Sequence, residues 1–494
     1  MKNNKYIIAV LALTLSVSSC KKSFLDETPS EKVSPGQIAE EAKRDPAVLA
    51  AYTRGLYSSM YNTGTGGTTD HDDFGQKGYD IYSDMLASDM VLGALNYGWY
   101  STVIRYQATK DFTQNAAYIP WRYYFRIILS ANTLIDLLGG NDAVLTDATL
   151  KSNMGQAKAM RAYAYFYLTQ FYAPKGFGTG SEKILPLYTD SKTTNQPLVA
   201  SSVIFDQMIK DLTDAATLLT GGTRSGKGEV NVDVANGLLA YVYAARGTNA
   251  DLAQVVTLTD ALVNKGTYVP LTRDEVTTNG FNNVATSGWI WGSNLEISSG
   301  LDLISWWGQV DIFTYSYAWA GDPKFIDNSL YTSIRADDAR KDQFDDNADY
   351  GGLLPSGKFY DPGREEGGQR TVITDLVYMR IEEMILLNAE AKARMGQDGP
   401  ARDELKLLLN QRIADVSYLN GLSGTALQEE IYQQTRIELW GEGKVYLAMK
   451  RNKHSITRGS NHLFFAGQTF AYDADELTFP VPQAEVINNP NLNK

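Results

Sequence analysis

The sequence is poor in the residues that carry covalent chemistry. It has one cysteine, Cys20, so the folded chain has no disulfide and is held by packing alone. It has three histidines, His71, His454 and His462, and none stands in a triad-like arrangement or an HExxH pattern. Each therefore reads as a surface or structural residue. Basic residues are also in deficit. There are 45 Lys and Arg against 57 Asp and Glu, a net charge of −12. With no basic stripe to offset that balance, nucleic acid is excluded as a partner. Long apolar runs are absent after the first twenty residues, so nothing later in the chain spans a membrane as a helix.

The one apolar run that exists lies at the N-terminus, in "MKNNKYIIAVLALTLSVSSC". Lys2 and Lys5 precede an apolar stretch from Tyr6 to Val17, and small residues lead to Cys20. This is the layout of a secretory signal, residues 1–19. Its ending, Val17-Ser18-Ser19-Cys20, has the form of a bacterial lipobox, which makes Cys20 the expected lipidation site. Such a chain is anchored to a membrane and not embedded in it. Residues 20–46 are polar, carry Pro29, Pro35 and Pro46, and read as a tether. Residues 47–494 are expected to form one domain.

What the chain has in excess is tyrosine and tryptophan, 30 and 8 residues against 17 phenylalanines. These rings pair an apolar face with a polar handle and suit half-exposed binding surfaces as well as cores. Much of the remainder is periodic at helical spacing. Ala157, Met160, Ala164, Leu168 and Phe171 share one face; so do Val234, Leu238, Val242 and Ala245, and so do Ile381, Met384, Leu387, Ala391 and Met395. Gly247 and Gly396 stand where helices end, and Pro400 stands in the first turn of a following helix. The pattern predicts helix pairs near 47–138, 155–219, 233–264 and 377–415, packed in tetratricopeptide-like fashion. Long insertions interrupt them at 63–118, 173–200 and, above all, 266–376. The fold class is thus mostly α, a superhelical scaffold of helix pairs with a large loop-rich, ligand-binding insertion holding a few short strands.

Few motifs carry chemistry. "GGTRSGKG" at 221–228 approaches a phosphate-binding loop, but Gly228 stands where Ser or Thr is required, and the segment joins two helices. "DHDD" at 70–73 reads as a solvated acidic loop, with a hard cation as the alternative. No carboxylate pair is singled out for glycoside hydrolysis. No catalytic residue, metal site or cofactor is expected. The aromatic clusters remain. Trp289 and Trp291 alternate into Leu295 and Ile297 and read as a core strand. "NYGWY", with Asn96, Trp99 and Tyr100, sits in a Gly- and Asn-flanked loop and leans toward exposure. In "WWGQVDIFTYSYAW", Phe313, Tyr315, Tyr317 and Trp319 fall on alternate positions, as on one face of a strand. A basic trio, Arg335, Arg340 and Lys341, forms a candidate anion patch.

Several stretches resemble the SusD/RagB family of nutrient-binding outer-membrane lipoproteins. They are "CKKSFLDETPSEKVSP" at the mature start, "AKAMRAYAYFYLTQFYAPKGFG" with "ILPLY" after it, "MRIEEMILLNAEAKARMG" with "LNQRIADV", "TRIELWGEGKVYLAMKR" with Glu438, Leu439, Glu442 and Gly443, and "FPVPQAEVINNPNLNK" at the end. Asp338 and Arg340 also fit a family habit, whereas Val445 and Ala448 stand where the family often has Arg and Asp. The resemblance implies capture of a glycan at the cell surface. It also implies a SusC-like TonB-dependent transporter as partner, a lipid anchor in the outer membrane, and no catalysis. The alternative is a peptide-binding lipoprotein of the same fold, and after it a surface glycosidase. The loops that would carry the site match the aromatic clusters by position. The candidate ligand-binding residues are Asn96, Trp99, Tyr100, Trp306, Trp307, Tyr315, Tyr317 and Trp319, with Trp99 and Trp306 or Trp307 as the expected exposed rings.

Overall fold

The computed structural model describes residues 41, 46–173, 180–360, 363–368 and 370–492. The signal, Cys20 and nearly all of the tether lie outside the described residues. A first helix, α1, spans Pro46–Ser58, and the chain divides into two units, residues 1–51 and 52–494. The architecture below is that of the second unit.

Helices dominate because the apolar spacing demands it. After α2 (Gln76–Leu86) come α3 (Asn115–Leu137), α4 (Ala148–Tyr172), α5 (Ser201–Leu219), α6 (Val232–Arg246), α7 (Asn249–Val263), α8 (Ile381–Arg394), α9 (Asp398–Leu409), α10 (Gly424–Glu438) and α11 (Val445–Asn452). From α3 to α9 each helix packs on the next. This nearest-neighbour order is that of a tetratricopeptide-like superhelix. Helix α4 is buried on every side from Asn153 to Tyr172, as its place between α3 and α5 requires. Local signals set the ends. Asp147 caps α4 through the Leu150 N–H, and Asn231 caps α6 through the Val234 N–H. Gly247 closes α6 at φ 69°, after which Thr248 and Asp251 form a reciprocal capping box on α7.

A charge sits inside this frame. The Arg161 guanidinium of α4 is buried and donates to Asp211 at 2.8 and 2.6 Å, Asn132 at 2.8 Å, Asn141 at 2.7 Å and the Thr189 carbonyl at 3.0 Å. One side chain thereby ties α3, α4, α5 and the following loop together. Such a group is stable only when every donor is matched.

The loop-rich region between α7 and α8 is attached by short antiparallel ladders. Strand β1 (Met90–Leu92) pairs with β5 (Lys324–Ile326), and β4 (Trp289–Ser293) pairs with β8 (Leu376–Arg380). Strands β2 (Lys183–Pro186) and β3 (Leu198–Ala200), β6 (Asp345–Asn347) and β7 (Gly352–Leu354), and β9 (Ile456–Thr457) and β10 (Thr469–Phe470) make the other two-stranded ladders. Trp289 and Trp291 are buried core residues of β4, as their alternation predicts.

A second buried charge cluster joins this region to the helices. The Glu438 carboxylate, at the end of α10, accepts from Arg380 at 2.7 Å, from Arg412 at 2.9 Å through two nitrogens, and from Arg340 at 3.1 Å. Glu442 accepts from Arg380 at 2.8 and 2.9 Å and from Lys358 at 2.9 Å. Burial pushes the Glu442 carboxyl up, but Arg380 and Lys358 outweigh it and hold the group at about 2. Arg340 also grips Asp338 at 2.6 Å. So Glu438, Glu442, Asp338 and Arg340 form one buried latch between loop region and frame. Val445 and Ala448 are buried in α11 nearby, where small apolar side chains fill the core.

Candidate functional site

The β1–β5 ladder brings two distant segments side by side. Loop 93–100 leaves β1 just where residues 317–323 enter β5. The Asp322 carboxylate then fixes the loop, accepting backbone N–H groups from Asn96 at 2.6 Å, Tyr97 at 2.9 Å and Gly98 at 3.0 Å. Asn96 returns its side-chain N–H to the Gly321 carbonyl at 2.8 Å. Gly98 takes φ 79°, a left-handed value that a side chain would strain. The loop presents Tyr97, 54 % exposed, and the half-buried Trp99.

A third segment completes the patch. The Asp73 carboxylate shapes loop 62–75 by accepting from Gly66 N at 2.7 Å, Thr68 N at 3.0 Å and the Thr68 hydroxyl at 2.9 Å. The His71 carbonyl accepts from the Gln309 amide at 2.8 Å. Its imidazole lies flat on Trp99, with centroids 5.1 Å apart and planes 2° from parallel. The Tyr317 hydroxyl lies 2.5 Å from His71 Nδ1, and its ring stands edge-on to Tyr97 at 4.9 Å. Burial lowers the His71 pKa, against the opposing pull of Asp70, so the ring is neutral at neutral pH.

Two hollows flank this cluster. One, of about 160 Å³, has Trp99 as a wall and Asp70, Asp72, Gln114 and Asn115 among its polar lining. Asn115 donates to Asp70 at 3.1 Å and Tyr82 to Asp72 at 2.6 Å. Burial raises the Asp72 carboxyl to about 6, the Tyr82 bond opposing it. The other, of about 410 Å³, is lined by Trp319, Gly321, Asp349, Tyr350 and Glu366. Trp319 is 39 % exposed and leans on the half-buried Tyr315 at 5.7 Å, and the Arg370 guanidinium covers Tyr315 at 4.0 Å.

Four of the expected ligand rings are buried. Trp306 and Trp307 are each 1 % exposed, and Tyr100 and Tyr317 are buried as well, Tyr317 serving as backing for Trp99 and Tyr97. The predicted strand does not form in 306–319. Residues Trp306–Val310 make a helical turn capped by Ser305, whose hydroxyl accepts from the Gly308 N–H at 3.1 Å. Beyond it, Asp311 accepts from the Phe313 N–H and the Thr314 hydroxyl, while Ser316 donates to the Asp311 carbonyl and accepts from the Trp319 N–H. Local side-chain bonds by the small polar residues between the rings win over a ladder. Trp306 packs edge-on to Phe359 at 5.2 Å, with the Lys77 ammonium 5.0 Å from its ring. Tyr100 packs on Tyr82. The geometry does bring Asn96, Trp99 and Tyr317 together and leaves Tyr315 and Trp319 beside them at the second hollow.

The basic trio is no anion patch. Arg340 is buried in the latch, Arg335 is paired with Asp337 at 2.8 Å, and Lys341 donates to the Ile334 carbonyl. In "DHDD", Asp72 and Asp73 are spent on Tyr82 and on the loop. Among the described residues no group of three His, Cys, Asp or Glu side chains is placed to hold a metal ion, and no helix is long and apolar enough to cross a membrane. Sequence reasoning read His71 only as a structural histidine in "DHDD" and missed its stacking on Trp99, and it missed Asp322, whose role depends on a partner 225 residues away. Tyr97 was visible inside "NYGWY".

A family model described as "Starch-binding associating with outer membrane" matches residues 23–244, and one described as "SusD family" matches residues 281–494. The SusD-like protein P25 of Formosa agariphila is 26% identical over 201 residues, 40% of this chain and 36% of that relative. A SusD-like protein of Bacteroides ovatus is 26% identical over 250 residues, 50% of this chain and 40% of that relative. The chain thus matches less than half the length of these curated relatives. Among solved structures, a SusD-like carbohydrate binding protein from Bacteroides vulgatus superposes with a TM-score of 0.76 at 23% identity, covering 90% of this chain and 96% of that one. A SusD superfamily protein from Bacteroides thetaiotaomicron gives 0.73 at 20% identity, covering 90% and 98%. At such identities the likeness speaks for the fold.

Proposed function

The chain belongs to the SusD/RagB family, and we propose that it is a cell-surface lipoprotein that binds an oligo- or polysaccharide and delivers it to a TonB-dependent outer-membrane transporter. Cys20 carries the anchor. The protein binds and releases; it does no covalent chemistry. The observation that carries this reading is the open ring surface of Tyr97 and Trp99, backed by the buried Tyr317 and held rigid by His71 and Asp322. The descriptions of the matching family and of the Bacteroides vulgatus carbohydrate binding protein support the choice of ligand class.

The chemistry follows from the parts. A pyranose has a flat C–H face that stacks on an aromatic ring and a rim of hydroxyls that seek amides and carboxylates. Trp99 supplies a face, and Asp70, Gln114 and Asn115 in the adjoining hollow supply the polar partners. The loop is already held by Asp322, so binding costs little ordering entropy. Trp319, beside Gly321, offers a second stacking ring for a longer chain. Stacking of a flat ring is worth roughly 1–3 kcal/mol, so two or three rings with hydroxyl bonds give a Kd on the order of millimolar to ten micromolar. That strength suits a receptor that must hand its ligand on.

The test is native gel retardation of the purified protein through gels containing a panel of polysaccharides. Retardation by one of them, abolished by Trp99→Ala and reduced by Tyr97→Ala, is the expected outcome. Mobility unchanged in every gel, with binding to peptides instead, would overturn the glycan reading.

A further inference from the structure

Helix α3 forms one wall of a separate cleft that the ring cluster does not use. Tyr118, Arg122, Phe125, Arg126 and Leu129 recur along that wall at helical spacing. The facing wall comes from residues 188–195 and the short helix Gln483–Asn488, with Tyr188 and Glu485 among its lining. The space between is about 400 Å³, within the range of small-molecule sites. Tyr118, Phe125 and Tyr188 are all half-buried, so each keeps ring surface open. Phe125 is fixed between Trp121 at 4.8 Å and Tyr188, which meets it edge-on at 5.9 Å.

Two arginines stand together at this cleft. In a chain of net charge −12, Arg122 and Arg126 stand one helical turn apart, exposed, at the rim of an aromatic cleft. Among the described residues neither is ion-paired; each spends a nitrogen on a loop carbonyl, Arg126 on Thr65 at 2.9 Å and Arg122 on Gly67 at 3.4 Å. A guanidinium has five N–H donors, so most of each fork remains for a ligand. The carboxylates of the cleft are already engaged. Asp190 accepts from Lys192 N at 2.8 Å and from the Thr193 N–H and hydroxyl at 2.7 Å each. Glu485 accepts from the Asn489 amide at 2.8 Å. The lining thus holds two guanidiniums against two carboxylates, and the guanidiniums keep N–H donors to spare beside open ring faces.

We propose that this cleft binds a carboxylate-bearing pyranose, a hexuronate unit of an acidic glycan. Arg122 and Arg126 take the carboxylate, and Tyr118, Phe125 and Tyr188 take the C–H face. The site stands apart from Trp99. Trp99 is not in its lining, and loop residues Gly66 and Gly67 pack so closely on α3 that a Cβ on either would fall 2.2 Å from Ile119 or Arg122.

The experiment titrates the full chain with tri-galacturonate and with maltotriose, read by calorimetry. Tri-galacturonate binds and maltotriose does not compete for the cleft. Arg122→Gln with Arg126→Gln weakens tri-galacturonate binding by about tenfold or more, whereas Trp99→Ala changes it by no more than about twofold. Because the arginines also hold the 63–68 loop, Leu129→Glu serves as a second variant: it places a negative charge on an exposed rim position and weakens binding without touching that loop. Tri-galacturonate binding that survives both cleft variants, or that is lost in Trp99→Ala, would overturn the proposal. So would binding of a peptide carboxylate with no binding of the uronate.

Discussion

Glu438 and Trp99 both stand where the loop-rich region meets neighbouring structure, and they are built in opposite ways. Glu438 is 1 % exposed and shared by three buried arginines. Trp99 is half open, backed by one neutral imidazole and one phenol. A desolvated charge is tolerable only when fully partnered, and it then holds its elements in one arrangement. A ring loses little by standing half in water and gains when a ligand covers it. At these two places a charge cluster lies inside and fastens while a ring stands half outside, the reverse of the usual allocation.

That contrast can be broken at its strong end first. Glu438→Ala leaves Arg340, Arg380 and Arg412 without their common carboxylate. It should cost about 3–5 kcal/mol or abolish folding, read as the midpoint of chemical unfolding. A midpoint near that of the parent protein would show that water enters the latch. Trp306→Ala empties a packed site and should cost a comparable 3–5 kcal/mol, yet leave ligand affinity intact in the molecules that fold. Trp99→Ala should do the opposite, losing affinity while the unfolding midpoint barely moves. The same loss of affinity in both variants would mean that Trp306 shapes the platform from below.

The comparison is sharpened by pH. Burial pushes the Asp72 carboxyl up to about 6, so the folded chain keeps a proton that an unfolded aspartate, near 3.8, gives up. Its favourable contribution is complete at low pH and is lost as pH rises through 6, by about 3 kcal/mol. Asp72→Asn should flatten the stability profile between about pH 4 and 6 and make the protein more stable at neutral pH. A profile with the parent's slope in that window would assign the titration to another group.

The helical frame was legible because its signals are local and repeated. Ala157, Met160, Ala164, Leu168 and Phe171 announce α4 on their own, and Gly247 ends α6 where it stands. The site was legible only in part. "NYGWY" marked a loop of rings by its Gly and Asn neighbours, and Asn96 and Trp99 do sit there with Tyr317. The alternation of Phe313, Tyr315, Tyr317 and Trp319 misled, because Asp311 and Ser316 curl the backbone by bonds that hydrophobic period does not register. The roles of His71 and Asp322 were invisible because they arise from partners far along the chain. The Arg122 and Arg126 pair likewise gains meaning only when residues 188–195 and 483–488 close the opposite wall.

The carboxylate of Asp322 also sets an order of events. Its bonds to Asn96, Tyr97 and Gly98 close loops of about 225 residues, and the His71–Tyr317 contact closes one of 246. Contacts of such separation form late, after the entropy of the intervening chain has been spent. A chain made from its N-terminus carries Trp99 long before Tyr317 and Asp322 exist. The ring cluster is therefore completed last, and a ligand seated on it would favour only the finished molecule over every shorter or partly folded form.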